Sequence, residues 1–90
     1  MILQHIKSDV YHFIAGDYLD IFLTESEIRQ YVAYNDIADC IKTPLGWYVN
    51  HDLGFIPFNQ YLKHISQNAL HLLSIVILNE TTNQFTNSNN

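Results

Sequence analysis

His51 and Asp52 adjoin in a polar turn within the stretch Trp47-Tyr48-Val49-Asn50-His51-Asp52-Leu53-Gly54-Phe55-Ile56-Pro57-Phe58. A histidine beside a carboxylate can ligate a metal or move a proton, and His12, His64 and His71 supply further imidazoles. Zinc needs three or four ligands converging at about 2.0–2.3 Å. No two histidines have the H-x-x-x-H spacing that sets both on one helical face, and the single cysteine, Cys40, adds little. Polar residues in a hairpin turn explain His51 and Asp52 without a metal. No metal and no cofactor are expected.

Cys40 is a candidate nucleophile, but a reactive thiolate needs an electropositive, partly open setting. Asp36 and Asp39 precede it closely and would raise its pKa. Core packing suits it better. Asp17, Asp20, Glu25 and Glu27 cluster in sequence, and paired carboxylates can serve acid–base chemistry. Glu27 has a helix-capping task, Glu25 falls in a first helical turn, and Asp17 falls in a turn. Only Asp20 lacks a structural role, and alternation points it to solvent. No G-x-G-x-x-G, P-loop, G-x-S-x-G or H-E-x-x-H pattern occurs. No catalytic residue is assigned, and an enzyme is not expected.

The elements that must position these residues belong to a chain of 90 residues, enough for one small domain. About 60–65% of the unfolded surface can be buried at this size. Hydrophobic residues form 48% of the chain and aromatics 13%, so a few large side chains dominate the core. Three lysines and one arginine against nine acidic residues leave a net charge of −5. That excludes a phosphate-neutralising patch for nucleic acid and disfavours an anionic membrane surface. One cysteine allows no internal disulfide, which fits a reducing compartment. The start MILQHIKSDVYHF lacks the layout of a signal peptide, and the apolar stretch near residues 69–78 is too short to span a bilayer. A cytoplasmic location is expected. Asn79-Glu80-Thr81 matches a glycosylation sequon that has no meaning there.

Residues 10–15 read as a strand, Gly16-Asp17 as a turn and residues 18–24 as a second strand. Thr24-Glu25-Ser26-Glu27 is a capping box for a short helix with Ile28, Tyr31 and Val32 inward. A further piece carrying Ile37, Cys40 and Ile41 reads as helix or strand. Trp47 to Val49 is a strand, Asn50 to Gly54 a turn and Phe55 to Phe58 the returning strand, held to an edge or bent by Pro57. Asn59 caps a short helix with Leu62 and Ile65 inward. Residues 70–78, apolar on both faces at Ile75-Val76-Ile77-Leu78, read as a central strand. The Asn/Thr-rich segment 81–90 reads as a disordered tail following one β-rich domain over 1–80. No internal repeat is visible. The expected fold is mainly β with short helices: a small antiparallel barrel or curled sheet.

Alternation in the hairpin sends Trp47 and Val49 to one face and Tyr48 to the other, while Phe55 and Pro57 oppose Ile56 and Phe58. One face enters the core. The other exposes aromatic surface of the kind found at interaction sites, unless a helix of the same chain covers it.

Val49-Asn50 followed by Phe55-Ile56-Pro57-Phe58 resembles the CheW-like domain of bacterial chemotaxis and twitching-motility coupling proteins. That family has an apolar pair ending in Val-Asn, a turn with Arg-Gly, then an apolar run into a proline and a short helix. Phe13-Ile14-Ala15-Gly16 with Tyr18 resembles its opening hairpin, Ile28-Arg29-Gln30-Tyr31-Val32 the helix behind it, and Ser74 to Glu80 its final strand. The similarity runs from about residue 10 to residue 80. The family's arginine falls on Asp52, its glycine on Leu53 and its later aspartate on Gln60, and Tyr18 lies two places early. The chain stops near the middle of a typical CheW-like domain, which has two small five-stranded barrels. It therefore resembles one half, as a shortened homologue or a fragment needing a second chain.

The resemblance implies binding without catalysis, since CheW-like domains couple chemoreceptors to a histidine kinase by docking on both. The expected partner-binding residues are Trp47, Tyr48 and Val49 with Phe55 and Phe58 opposite, because aromatic anchors dominate interface energetics. Asp52 reverses a charge at a partner-contact position and would alter partner choice. Two other readings stay open. One is a small enzymatic or ligand-binding domain using His51 and Asp52. The other is a homo-oligomer whose incomplete barrel is finished by a second copy through strand 70–78.

Overall fold

The computed structural model describes residues 1–52 and 54–88. Its first unit grows from the Gly16 turn. Gly16 has φ +61°, a left-handed backbone that glycine adopts without strain. The turn joins β2 (Val10–Ala15) to β3 (Leu19–Thr24) in antiparallel register, with Phe13 opposite Ile21 and Tyr11 opposite Leu23. Tyr11, Phe13 and Ala15 alternate into the core, as do Leu19 and Leu23. An additional strand, β1 (Ile2–Lys7), pairs with the other side of β2 and carries an irregularity between His5 and Lys7.

Helix α1 (Glu25–Tyr34) begins at the residue after β3. The Glu27 amide donates to Thr24 Oγ1 at 3.2 Å, and the Thr24 amide donates to the Glu27 carboxylate at 3.0 Å. This is the capping box expected from the sequence. The Glu25 amide also donates to the Asp9 carbonyl at 2.7 Å, tying the helix start to the β1–β2 connection. Ile28 and Val32 are fully buried, with Tyr31 packed beside them.

The piece that read as helix or strand is β4 (Cys40–Thr43). It pairs with β5 (Gly46–His51), which pairs with β6 (Gly54–Pro57). The returning strand stops one residue earlier than expected. Phe58 is instead the first residue of α2 (Phe58–His64), and it is buried. Pro57, with its fixed φ of −55°, is the N-cap, and no side chain caps this helix. Asn59 does not take the capping role that its type suggested.

Residues 70–78 are not a strand. They lie in α3 (Gln67–Ser88), whose inward residues Leu70, Leu73, Ser74 and Ile77 recur at helical spacing. Ser66 starts it: its Oγ accepts from the Ala69 amide at 3.2 Å. The helix includes residues 81–88 of the segment expected to be a tail, and residues 89 and 90 lie outside the described residues.

The order is therefore three-stranded meander, helix, three-stranded meander, helix, helix. The meander-plus-helix unit occurs twice, a repeat of topology that the residue identities do not display. Each sheet keeps two free edges, β1 and β3 in one and β4 and β6 in the other, and no barrel closes among the described residues. The fold is mixed sheet and helix, not mainly β. One core cluster takes Phe13 from the first sheet, Val49 from the second, Ile28 and Val32 from α1, Phe58 from α2, and Leu73 and Ile77 from α3.

Candidate functional site: an uncovered aromatic sheet face

The register of the second sheet decides which hairpin face is covered. Cys40, Val49 and Ile56 lie opposite one another, and directly opposed residues share a face. Val49 is fully buried, with Cys40 and Ile56 packed around it, so this face meets the core. Ile41, Tyr48 and Pro57 form the neighbouring row and point away from it. Asn50 opposite Phe55 forms the next row on that outer face. Ile41 is 41% exposed and Phe55 52% exposed, Tyr48 and Pro57 are half-buried, and Leu45 at the hairpin tip is exposed. Asp39, whose carbonyl accepts from the Asn50 amide at 2.9 Å, is exposed at the margin of this face.

The residues expected to bind a partner therefore divide. Phe55 and Tyr48 lie on the outer face, and Asp52 is exposed in the turn beside it. Val49 and Phe58 belong to the core and offer no surface. Trp47 shares the core-facing side with Val49 and is half-buried. The Arg29 guanidinium lies over its ring, 4.3 Å from the centroid. Leu53, where the resemblance sets a glycine, lies outside the described residues. Ile41, Pro57 and Leu45 complete the outer face. Cross-strand register would have identified the first two, but the extent of β4 was not legible from its four residues.

His51 and Asp52 border a cleft of about 370 Å³ that also takes in Tyr61, His64 and Ser66. The His51 ring meets Tyr61 edge-on at 6.2 Å between centroids, and His51 Nδ1 is shielded from solvent with no hydrogen-bond partner. Burial, followed by the nearby Cys40, pushes the Tyr61 phenol above its ordinary value, so at neutral pH Tyr61 is a hydrogen-bond donor and not a base. Burial likewise raises the Cys40 thiol, opposed by Arg29 and assisted by Asp39, which keeps it protonated and a poor nucleophile. Among the described residues no group of three His, Cys, Asp or Glu side chains is placed to hold a metal.

Of the carboxylates, Glu27 caps α1 and Asp20 is exposed as its strand position implied. Asp20 has a partner that sequence did not reveal: its Oδ1 lies 2.6 Å from His12 Nε2, across the sheet, and the His12 ring stacks on Phe22 at 4.4 Å. His12 precedes Asp20 by eight residues, and only the β2–β3 register makes them neighbours. Among the described residues no hydroxyl or thiol is bonded to the His12–Asp20 pair as the nucleophile of a hydrolytic triad would be.

No helix among the described residues is long and apolar enough to cross a membrane. Set against known protein families, curated proteins and solved structures, the chain matches no family model, no curated protein and no solved structure.

Proposed function

We propose that this protein is a non-catalytic protein–protein interaction module of the cytoplasm, an adaptor of CheW-like kind in bacterial chemosensory signalling. The observation that carries the reading is the outer face of β4–β5–β6. Ile41, Tyr48, Phe55 and Pro57 lie side by side there, Ile41 and Phe55 exposed and Tyr48 and Pro57 half-buried. Aromatic and aliphatic side chains on a flat sheet lose apolar area to a docking partner at little entropic cost, since two χ angles fix each ring. Asp52 at the margin would select against partners that suit an arginine there.

The test is a titration of the purified chain against a chemosensory histidine kinase and against the cytoplasmic part of a chemoreceptor. Binding to at least one is expected, with Tyr48→Lys and Phe55→Lys each weakening it about tenfold or more. Asp52→Arg is expected to change the preference between the two. Binding to neither, or unchanged affinity in the folded Tyr48→Lys/Phe55→Lys double variant, would overturn the proposal.

A further inference from the structure

Strand β5 ends at His51, two residues past Val49, so alternation turns both side chains toward the same side. Val49 enters the core, whereas the His51 ring meets Tyr61 at the edge of a cleft of about 370 Å³. Ile37 and Ala38 from the α1–β4 connection, Asp52 from the hairpin turn, and Ser66 and Ala69 from the start of α3 form most of the remaining wall.

Two polar atoms of this wall lack a partner among the described residues. His51 Nδ1 is shielded from solvent. Tyr61 is 5% exposed, yet no described group bonds its hydroxyl, and the hydroxyl itself is not shielded. It therefore opens into the cleft that the ring borders. Native proteins leave few such groups unmet, and what this hydroxyl lacks is an acceptor. Burial raises its pKa, so at neutral pH it has a proton to donate.

The charges around the cleft narrow the choice of acceptor. Helix α3 runs for 22 residues with no acidic side chain in its first turn. Its positive end reaches the cleft through Ser66 and Ala69 and favours a negative group. A plain anion would also meet the exposed Asp52 carboxylate, on a chain of net charge −5. A ligand carrying one charge of each sign suits both features.

We propose that this cleft binds a small free amino acid. Its carboxylate accepts from the Tyr61 hydroxyl and lies at the start of α3 beside Ser66. Its ammonium faces Asp52, and its side chain rests against Ile37 and Ala38. Asn50 and His64 add hydrogen-bonding groups at the rim. The volume stands near the lower end of the roughly 300–1,000 Å³ of small-molecule clefts, which suits a ligand of this size.

Titration calorimetry of the full chain against each common L-amino acid tests the proposal. No partner protein is present, so the outcome is separate from that of the adaptor reading. At least one amino acid is expected to bind saturably with a Kd below about 1 mM. Its α-hydroxy acid, which lacks the ammonium, and its methyl ester, which lacks the carboxylate, are each expected to bind about tenfold more weakly or worse. Asp52→Asn, at an exposed position, is expected to keep the melting temperature and to weaken the amino acid about tenfold. Tyr61→Phe is expected to weaken it by a similar factor while keeping its circular dichroism. No saturable binding of any amino acid up to about 10 mM overturns the proposal. So does binding that neither variant weakens, or a hydroxy acid or methyl ester that binds as tightly as the amino acid.

Discussion

The guanidinium of Arg29 on α1 covers the Trp47 ring on β5 at 4.3 Å, and its Nη2 also donates to Ser26 Oγ at 3.3 Å. The chain's only arginine is thus committed to joining the first helix to the second sheet. A cation over a half-buried indole contributes about 0.5–2 kcal/mol. Arg29→Met keeps most of the stem and removes the charge. It is expected to cost about 1 kcal/mol in urea unfolding and to change the Trp47 fluorescence maximum. An unchanged midpoint and an unchanged spectrum would show that the contact holds nothing together.

Two serine and asparagine positions separate a real cap from an apparent one. Ser66→Ala removes the acceptor for the Ala69 amide and is expected to cost about 1 kcal/mol. Asn59→Ala is expected to change stability by less than about 0.5 kcal/mol, since Asn59 is exposed and Pro57 is the N-cap. Thermal denaturation of the two variants side by side decides the point, and equal losses would contradict the assignment of the caps.

Gly16 tests backbone against side-chain strain. A Cβ there would stand 2.7 Å from Tyr18 Cε1, at a φ of +61°. Tyr18 is exposed and its ring can swing away, whereas the left-handed backbone cannot relax. Gly16→Ala is expected to cost about 1–2 kcal/mol by urea unfolding in wild type, and nearly as much in a Tyr18→Ala background. Full recovery in that background would make the ring the cause.

Alkaline pH should weaken the fold. Burial leads the causes that raise Cys40 above 9.0 and raise Tyr11, Tyr31 and Tyr61 above 10.0. The folded state holds these protons more tightly than the unfolded chain does. Their stabilisation is fully present below the unfolded values and is lost as pH rises past those values and through the higher folded ones. The urea midpoint is expected to be flat near pH 8 and to fall above about pH 9–10. Tyr61→Phe is expected to fall less steeply, and a midpoint that rises with pH would refute the sign.

The first unit was largely legible in the sequence because its signals are local. Val10–Ala15 alternates, Gly16 turns, and Thr24 with Glu27 caps α1 within four residues. Helix α3 was misread because the run Leu72-Leu73-Ser74-Ile75-Val76-Ile77-Leu78 is apolar on every side, which erases periodicity. What distinguishes helix from strand there is the inward set Leu70, Leu73, Ser74 and Ile77, visible only once a core exists, and the Ser66 cap. The two hairpin faces were legible from strand alternation. Which face is covered was not, because that depends on the tertiary contacts of Val49 and Phe58. Phe58 read as strand, and its place as the first residue of α2 carries it into the core beside Tyr61 and Leu62.

In both meanders every strand pairs only with its neighbour in the chain. Loops this short close at small entropic cost, so each sheet can form before the rest of the molecule is in place. The last event, after the transition state, is then the docking of α3, whose Leu73 and Ile77 seal a core supplied by residues far earlier in sequence. Folding is expected to be fast, and Leu73→Ala is expected to accelerate unfolding more than it slows folding. Stopped-flow chevrons measure both limbs, and an effect confined to the folding limb would place α3 in the nucleus instead.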